Sequence, residues 1–295
     1  MPAQVSPLLT RAVVAAIALL AAGCGSGGES PEGSIARGGV FDPGPMHVHG
    51  LGVNPKDNAL FVATHTGLFR AAPGEKRSRR VGDRFQDTMG FTIIGPDRFL
   101  GSGHPDLREK LPPYLGLIRS GDGGRSWTSV SLLGDADFHV LEAQGRRLYG
   151  AGSDFESRNE QLLASQDGGR SWKERTLPEP LIGLAIRPGE PRSIIASGSK
   201  GLHASSDGGG SWRALSGGPG LPAWPAADRL YLLRMDGTLR VSTDAGRSWR
   251  DAGDAGGDPA AFEAVSSTEL YAALHDGTIK SSTDGGASWG VRARP

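Results

Sequence analysis

Apolar residues fall along most of this chain in short runs, each about the length of a strand. Four such runs are Arg147-Leu148-Tyr149-Gly150-Ala151, Ser193-Ile194-Ile195-Ala196-Ser197, Arg229-Leu230-Tyr231-Leu232-Leu233 and Glu269-Leu270-Tyr271-Ala272-Ala273. Two of them lead into alternating segments, Gly237-Thr238-Leu239-Arg240-Val241 and Gly277-Thr278-Ile279-Lys280-Ser281, which read as half-buried strands. Residues 47–53, 59–64 and 67–70 repeat the same grammar near the start. With 46 glycines and few aromatics, the composition suits many short strands joined by tight turns. An all-β fold is expected.

Five segments share the pattern Ser-x-Asp-x-Gly-x-Ser-Trp, at residues 120–127, 165–172, 205–212, 242–249 and 282–289. Their tryptophans are 45, 40, 37 and 40 residues apart. Glycine permits the positive φ of a tight turn, and the aspartate and serine side chains can bind backbone amides within it. The tryptophan supplies an apolar face beside the turn.

This pattern resembles the Asp-box, or BNR, repeat of sialidases and many bacterial propellers. The resemblance implies a structural turn between the third and fourth strands of a blade, on the face opposite any active site. A six-bladed β-propeller of four-stranded antiparallel blades follows, with blades near 46–84, 85–133, 134–178, 179–216, 217–254 and 255–295. That is about 42 residues per blade, in the range usual for propellers. Blade one lacks the box, and its basic residues 73–80 are read as a solvated turn. Seven blades stay open if residues 35–41 pair with the end of the chain.

Arg11, an eleven-residue apolar run and the Ala21-Ala22-Gly23-Cys24 junction resemble a bacterial lipoprotein leader over residues 1–23. Eleven apolar residues are too few to span a bilayer. The resemblance implies lipidation at Cys24, the chain's single cysteine, and a membrane-anchored place in the bacterial cell envelope, outside the cytoplasm. Residues 24–45 are rich in Gly, Ser, Pro and Glu and read as a flexible tether. The 32 acidic residues balance the 32 basic ones, which argues against nucleic acid as a partner. A monomer is expected.

Placed on a propeller, six of the seven histidines fall on the face opposite the boxes. His47, His49 and His139 start inner strands, while His65, His104 and His275 sit in second-to-third loops. The blade-two loop after His104 is the longest insertion, and such loops on a rigid scaffold carry function. Metal binding by His47, His49, His104 and His139 would suit zinc or copper, because imidazoles from several blades would converge on the axis, with Met46 as a possible soft ligand. His47 and His49, two apart in a strand, would share a face. A polar pocket of His65, Asp87, Tyr114, His275 and Asp276 for a glycan, small molecule or envelope protein is a second reading, and solvated or structurally hydrogen-bonded histidines are a third. The resemblance extends to proteins that bind other proteins as assembly factors, and binding is therefore the leading expectation. It also raises glycoside hydrolysis, with Asp106 and Asp137 as the carboxylate pair. True sialidase chemistry fits poorly, since His47-Val48-His49-Gly50 stands where an arginine-bearing opening strand belongs. Tyr149, Tyr231 and Tyr271 repeat at equivalent strand positions, as packing residues do.

Overall fold

A computed structural model describes residue 42 and residues 44–154 and 159–294. Among these residues the chain forms six sheets of four antiparallel strands, each sheet laid down in sequence order. The sheets span residues 48–80, 87–131, 136–175, 181–215, 220–254 and 259–293. The inner strands are Val48–Asn54, Asp87–Gly95, Ala136–Gln144, Leu181–Ile186, Gly220–Ala226 and Pro259–Ala264. Each packs beside the next, and the first packs beside the last, so the molecule is a six-bladed β-propeller.

The core is divided by the same geometry. Six apolar clusters each straddle one boundary between blades. Phe61 and Leu68 of blade one meet Phe91 and Phe99 of blade two, with the Phe61 and Phe99 rings edge-on at 4.7 Å. Tyr149 and Leu162 of blade three meet Leu184 and Ile194 of blade four. A strand with both faces against neighbouring blades must be apolar on both, which explains the near-continuous runs in the second strands. Tyr149 and Tyr231 are wholly buried, and their hydroxyls donate across to Pro191 O and Ser267 O of the following blade. They are packing residues.

The repeated Ser-x-Asp-x-Gly-x-Ser-Trp segment is the turn from third to outer strand in blades two to six. In the turn at residues 165–172, Ser165 Oγ donates to Asp167 Oδ1 at 2.8 Å and accepts from Gly169 N at 2.9 Å. Asp167 also accepts from Ser171 N and Ser171 Oγ at 3.0 and 2.6 Å. The same bonds recur in the other four turns. Gly169, at φ +86, lies so close to Leu117 of the preceding blade that a methyl group there would collide with it. Trp172 Nε1 reaches back to Ser131 Oγ of that blade at 2.9 Å. The turn therefore serves as a rivet between blades.

Blade one is closed differently. Arg292 donates to the carbonyls of Glu75, Ala71 and Ala72, and Arg294 N donates to Lys76 O at 2.9 Å. Val48, Leu60 and Phe69 share one apolar cluster with Tyr271, Ile279 and Ala293. Residues 73–80 also clasp the end of the chain, and while Lys76, Arg77 and Arg79 are exposed as a solvated turn requires, Arg80 departs from that reading. The Arg80 side chain is buried, ion-paired with Asp42 and set over the rings of Phe69 and Phe85 at 4.6 and 3.9 Å. Hydrogen bonding to Arg80 holds the Asp42 carboxyl below the ordinary carboxylate value. Cys24, the leader and residues 35–41 lie outside the described residues.

Candidate functional site

A bulge sits at the start of the inner strand in five blades. The pairing of blade one passes from Val48 to Gly50, leaving His49 as the extra residue. In blades two, three, four and six the same slip leaves Met89, His139, Ile182 and Ala260. A bulge re-aims its extra side chain, and all five of these residues line one mouth of the central channel. Blades one to three place there two imidazoles and a thioether, whereas blades four and six place only apolar groups. The channel holds a cavity of about 380 Å³.

His65, in the second-to-third turn of blade one, brings Nδ1 to 3.1 Å from His49 Nε2 and 2.8 Å from Asp87 Oδ2. Asp87 opens the inner strand of blade two and pairs across it with His104, whose Nδ1 is 3.3 Å from the same Oδ2. His104 Nε2 lies 3.4 Å from Asp137 Oδ2, and Asp137 also binds His139 Nε2 at 3.0 Å. A single polar path therefore runs His49, His65, Asp87, His104, Asp137, His139 across three blades. The Tyr114 ring flanks it, 5.7 Å from that of His104.

Electrostatics divides the imidazoles. Burial drives His49 down to about 4, with the other histidines opposing its charge and Asp87 favouring it. Hydrogen bonding to Asp87 raises His104, and hydrogen bonding to Asp137 raises His139. Burial opposes ionisation of Asp87, but the bonds from His104 and His65 carry its carboxyl below the ordinary value. One oxygen of each acid, Asp87 Oδ1 and Asp137 Oδ1, is buried without a hydrogen-bond partner. His49 and His65 with Asp87 bring three ligand-type atoms within 4.8 Å of one another.

The remaining expected residues are placed elsewhere. His47 precedes the strand at φ +49, so the alternation expected of His47 and His49 does not hold. Its ring is exposed and meets that of His65 at 5.1 Å. Asp106 is buried, with its oxygens spent on Phe85 N at 2.8 Å and on Arg108, which hold its carboxyl far below the ordinary value. It fixes the long blade-two loop, so its expected pairing with Asp137 as a catalytic acid is not what this geometry builds. Asp276 caps its own turn through Thr278 N at 2.8 Å, and His275 beside it is exposed.

Two groups escaped the sequence reading. Glu142 and Glu263, on the inner strands of blades three and six, line the same channel below the histidines. Enclosure by the channel walls raises both carboxyls, Glu263 to about 7, and the charge of Glu263 raises Glu142 further. An acid interrupting an apolar inner strand, as in Val140-Leu141-Glu142-Ala143 and Ala261-Phe262-Glu263-Ala264, was the available signal.

No family model matches the sequence, and no curated protein matches it. Among solved structures, the chain is similar to a luciferin-regenerating enzyme at TM-score 0.58 and 12% identity, over 80% of this chain and 86% of that one. It is similar to an ancestral GH74 enzyme at TM-score 0.55 and 12% identity, over 84% of this chain, and spans only 37% of that enzyme's length. It is similar to YCF48 bound to D1 peptide at TM-score 0.52 and 16% identity, over 84% of this chain and 82% of that one. Likenesses at such low identity establish one thing, the propeller architecture on which the histidine mouth is mounted.

Proposed function

We propose that this protein is a lipid-anchored envelope propeller that binds a small polar ligand at the histidine mouth. The observation that carries this is the unbroken His–Asp path of blades one to three, opening onto a cavity of about 380 Å³. A volume of that size is at the small end of ligand sites, and convergent polar groups are what such sites use to fix a ligand. Leu51, Phe91, Leu141 and Leu184 belong to the cores between blades, so the channel surface is mainly polar, with Glu142 and Glu263 among its lining residues. The leader pattern that ends at Cys24 supports the anchor.

The test is a fragment screen read by the imidazole NMR signals of the full chain. Ligands are expected to shift His49, His65, His104 and His139 and leave His203, bound to Glu179 in blade four at 2.8 Å, unmoved. Fragments that move only His203, or only the indoles of the repeated turns, would overturn the proposal.

Glycoside hydrolysis is the second reading, and Glu263 favours it. A carboxyl raised to about 7 keeps much of its proton at neutral pH, as a general acid must. Aryl-glycoside turnover that Glu263→Gln abolishes would support it, and turnover indifferent to that change would remove Glu263 from the role.

A further inference from the structure

We infer that His49 Nε2, His65 Nδ1 and the Asp87 carboxylate form a site for one divalent transition-metal ion, a reading that deepens the proposed ligand site and rests on it. The first support is proton arithmetic. His65 Nδ1 lies 3.1 Å from His49 Nε2 and 2.8 Å from Asp87 Oδ2. A ring nitrogen carries either one proton or one lone pair. Donating to Asp87, Nδ1 has at best a shared proton left for His49. Accepting from His49, it turns a lone pair toward the carboxylate. Protonation of this nitrogen satisfies one contact well and leaves the other poor, whereas a cation at the centre of the three atoms satisfies all of them.

The second support is spacing. Ligand atoms about 2.0–2.1 Å from a tetrahedral ion stand about 3.3 Å from one another. The separations here are 3.1 Å between the imidazoles, 2.8 Å from His65 to Asp87 Oδ2 and 3.6 Å from His49 to Asp87 Oδ1. The imidazole pair is close to the tetrahedral edge, and the carboxylate turns a different oxygen toward each imidazole, with one-atom-per-residue separations all within 4.8 Å. The third support is Asp87 Oδ1, a buried carboxylate oxygen without a hydrogen-bond partner.

Two imidazoles and one carboxylate select zinc-like ions over calcium or magnesium, which prefer all-oxygen shells. Three protein ligands leave a fourth position, and at the channel mouth that position is open to an oxygen or nitrogen of a bound small ligand. His104, bonded to Asp87 Oδ2 at 3.3 Å, orients the carboxylate from behind, as partners of metal ligands do.

The test uses the full chain stripped with chelator and titrated with zinc chloride in a calorimeter, with thermal unfolding recorded in parallel. One zinc per chain and a raised melting temperature are expected. His65→Ala and Asp87→Asn should each weaken binding at least about 100-fold, while His275→Ala, in an exposed turn outside the path, should bind as the parent does. Thermal unfolding of the zinc-free variants shows whether each has folded. No stoichiometric zinc, or zinc binding that survives in folded His65→Ala and Asp87→Asn, overturns the inference. Fragments that still shift the mouth histidines when zinc does not bind would leave the ligand site standing and remove the metal alone.

Discussion

The face of repeated turns and the histidine mouth are built from the same blades at opposite ends, and they treat polar groups in opposite ways. In each turn an aspartate and a serine are fully occupied by bonds within eight residues of chain, repeated five times with little change. At the mouth the residues change from blade to blade, the bulge holding His49, Met89, His139, Ile182 or Ala260, and Asp87 and Asp137 each keep a buried oxygen without a partner. Local bonds that close on themselves make a scaffold. Irregular groups of this kind can receive a partner from outside the chain, because a buried polar atom without one costs stability that a water, ion or ligand can return.

The largest test of this contrast falls on the turns. Gly169→Ala should destabilise by about 2–4 kcal/mol in urea unfolding, because the methyl meets Leu117 at a positive φ. Its neighbour Gly168, with open space around it and Ala245 at the equivalent place in blade five, should cost only about 1 kcal/mol, the backbone part alone. Equal costs would mean that the turns do not lock blade to blade.

Next comes the channel. Glu263 has a folded value near 7 against an ordinary 4.5, so the unfolded chain ionises first as pH rises. Stability should fall between about pH 4.5 and 7 and stay low above, and Glu263→Gln should recover about 1–3 kcal/mol at pH 8 and nothing at pH 4. A flat difference between the two proteins across that range would show the channel to be as well solvated as the surface.

A smaller effect belongs to the turn aspartates at low pH. Bonds from Ser248 and Ser288 hold Asp244 and Asp284 at about 2, below the ordinary 3.8. Their contribution is complete above about pH 4 and is lost as pH falls through 2. An acid transition in Asp244→Asn and Asp284→Asn no shallower than the parent's would contradict it. The least effect on stability is expected from Asp137→Asn, whose signature is instead a fall in the titration midpoint of His139, read by NMR. An unmoved midpoint would break the polar path at its last link.

The fold was legible because a turn of this kind tolerates few residues at each place, so its chemistry is written out in consecutive letters. The mouth was legible in part. Assigning strands carried His49, His65, His104 and His139 to one face, since that step needs only direction and order. His47 was misjudged because alternation stops where the backbone leaves the strand. Asp106 resembled a free acid until Arg108, two residues away, was found folded back upon it. Arg80 resembled a solvated cation because its partner, Asp42, is 38 residues distant. The bulges that aim His49 and His139 leave no mark in composition, for any residue type can stand in them, as Met89, Ile182 and Ala260 do.

The sheets borrow no strand from one another, and the ring is shut by the bonds of Arg292 and Arg294 to blade one. Each blade is therefore one uninterrupted stretch of coding sequence. An insertion at a blade boundary leaves the strand pairing of every sheet intact and disturbs only the packing between two neighbours.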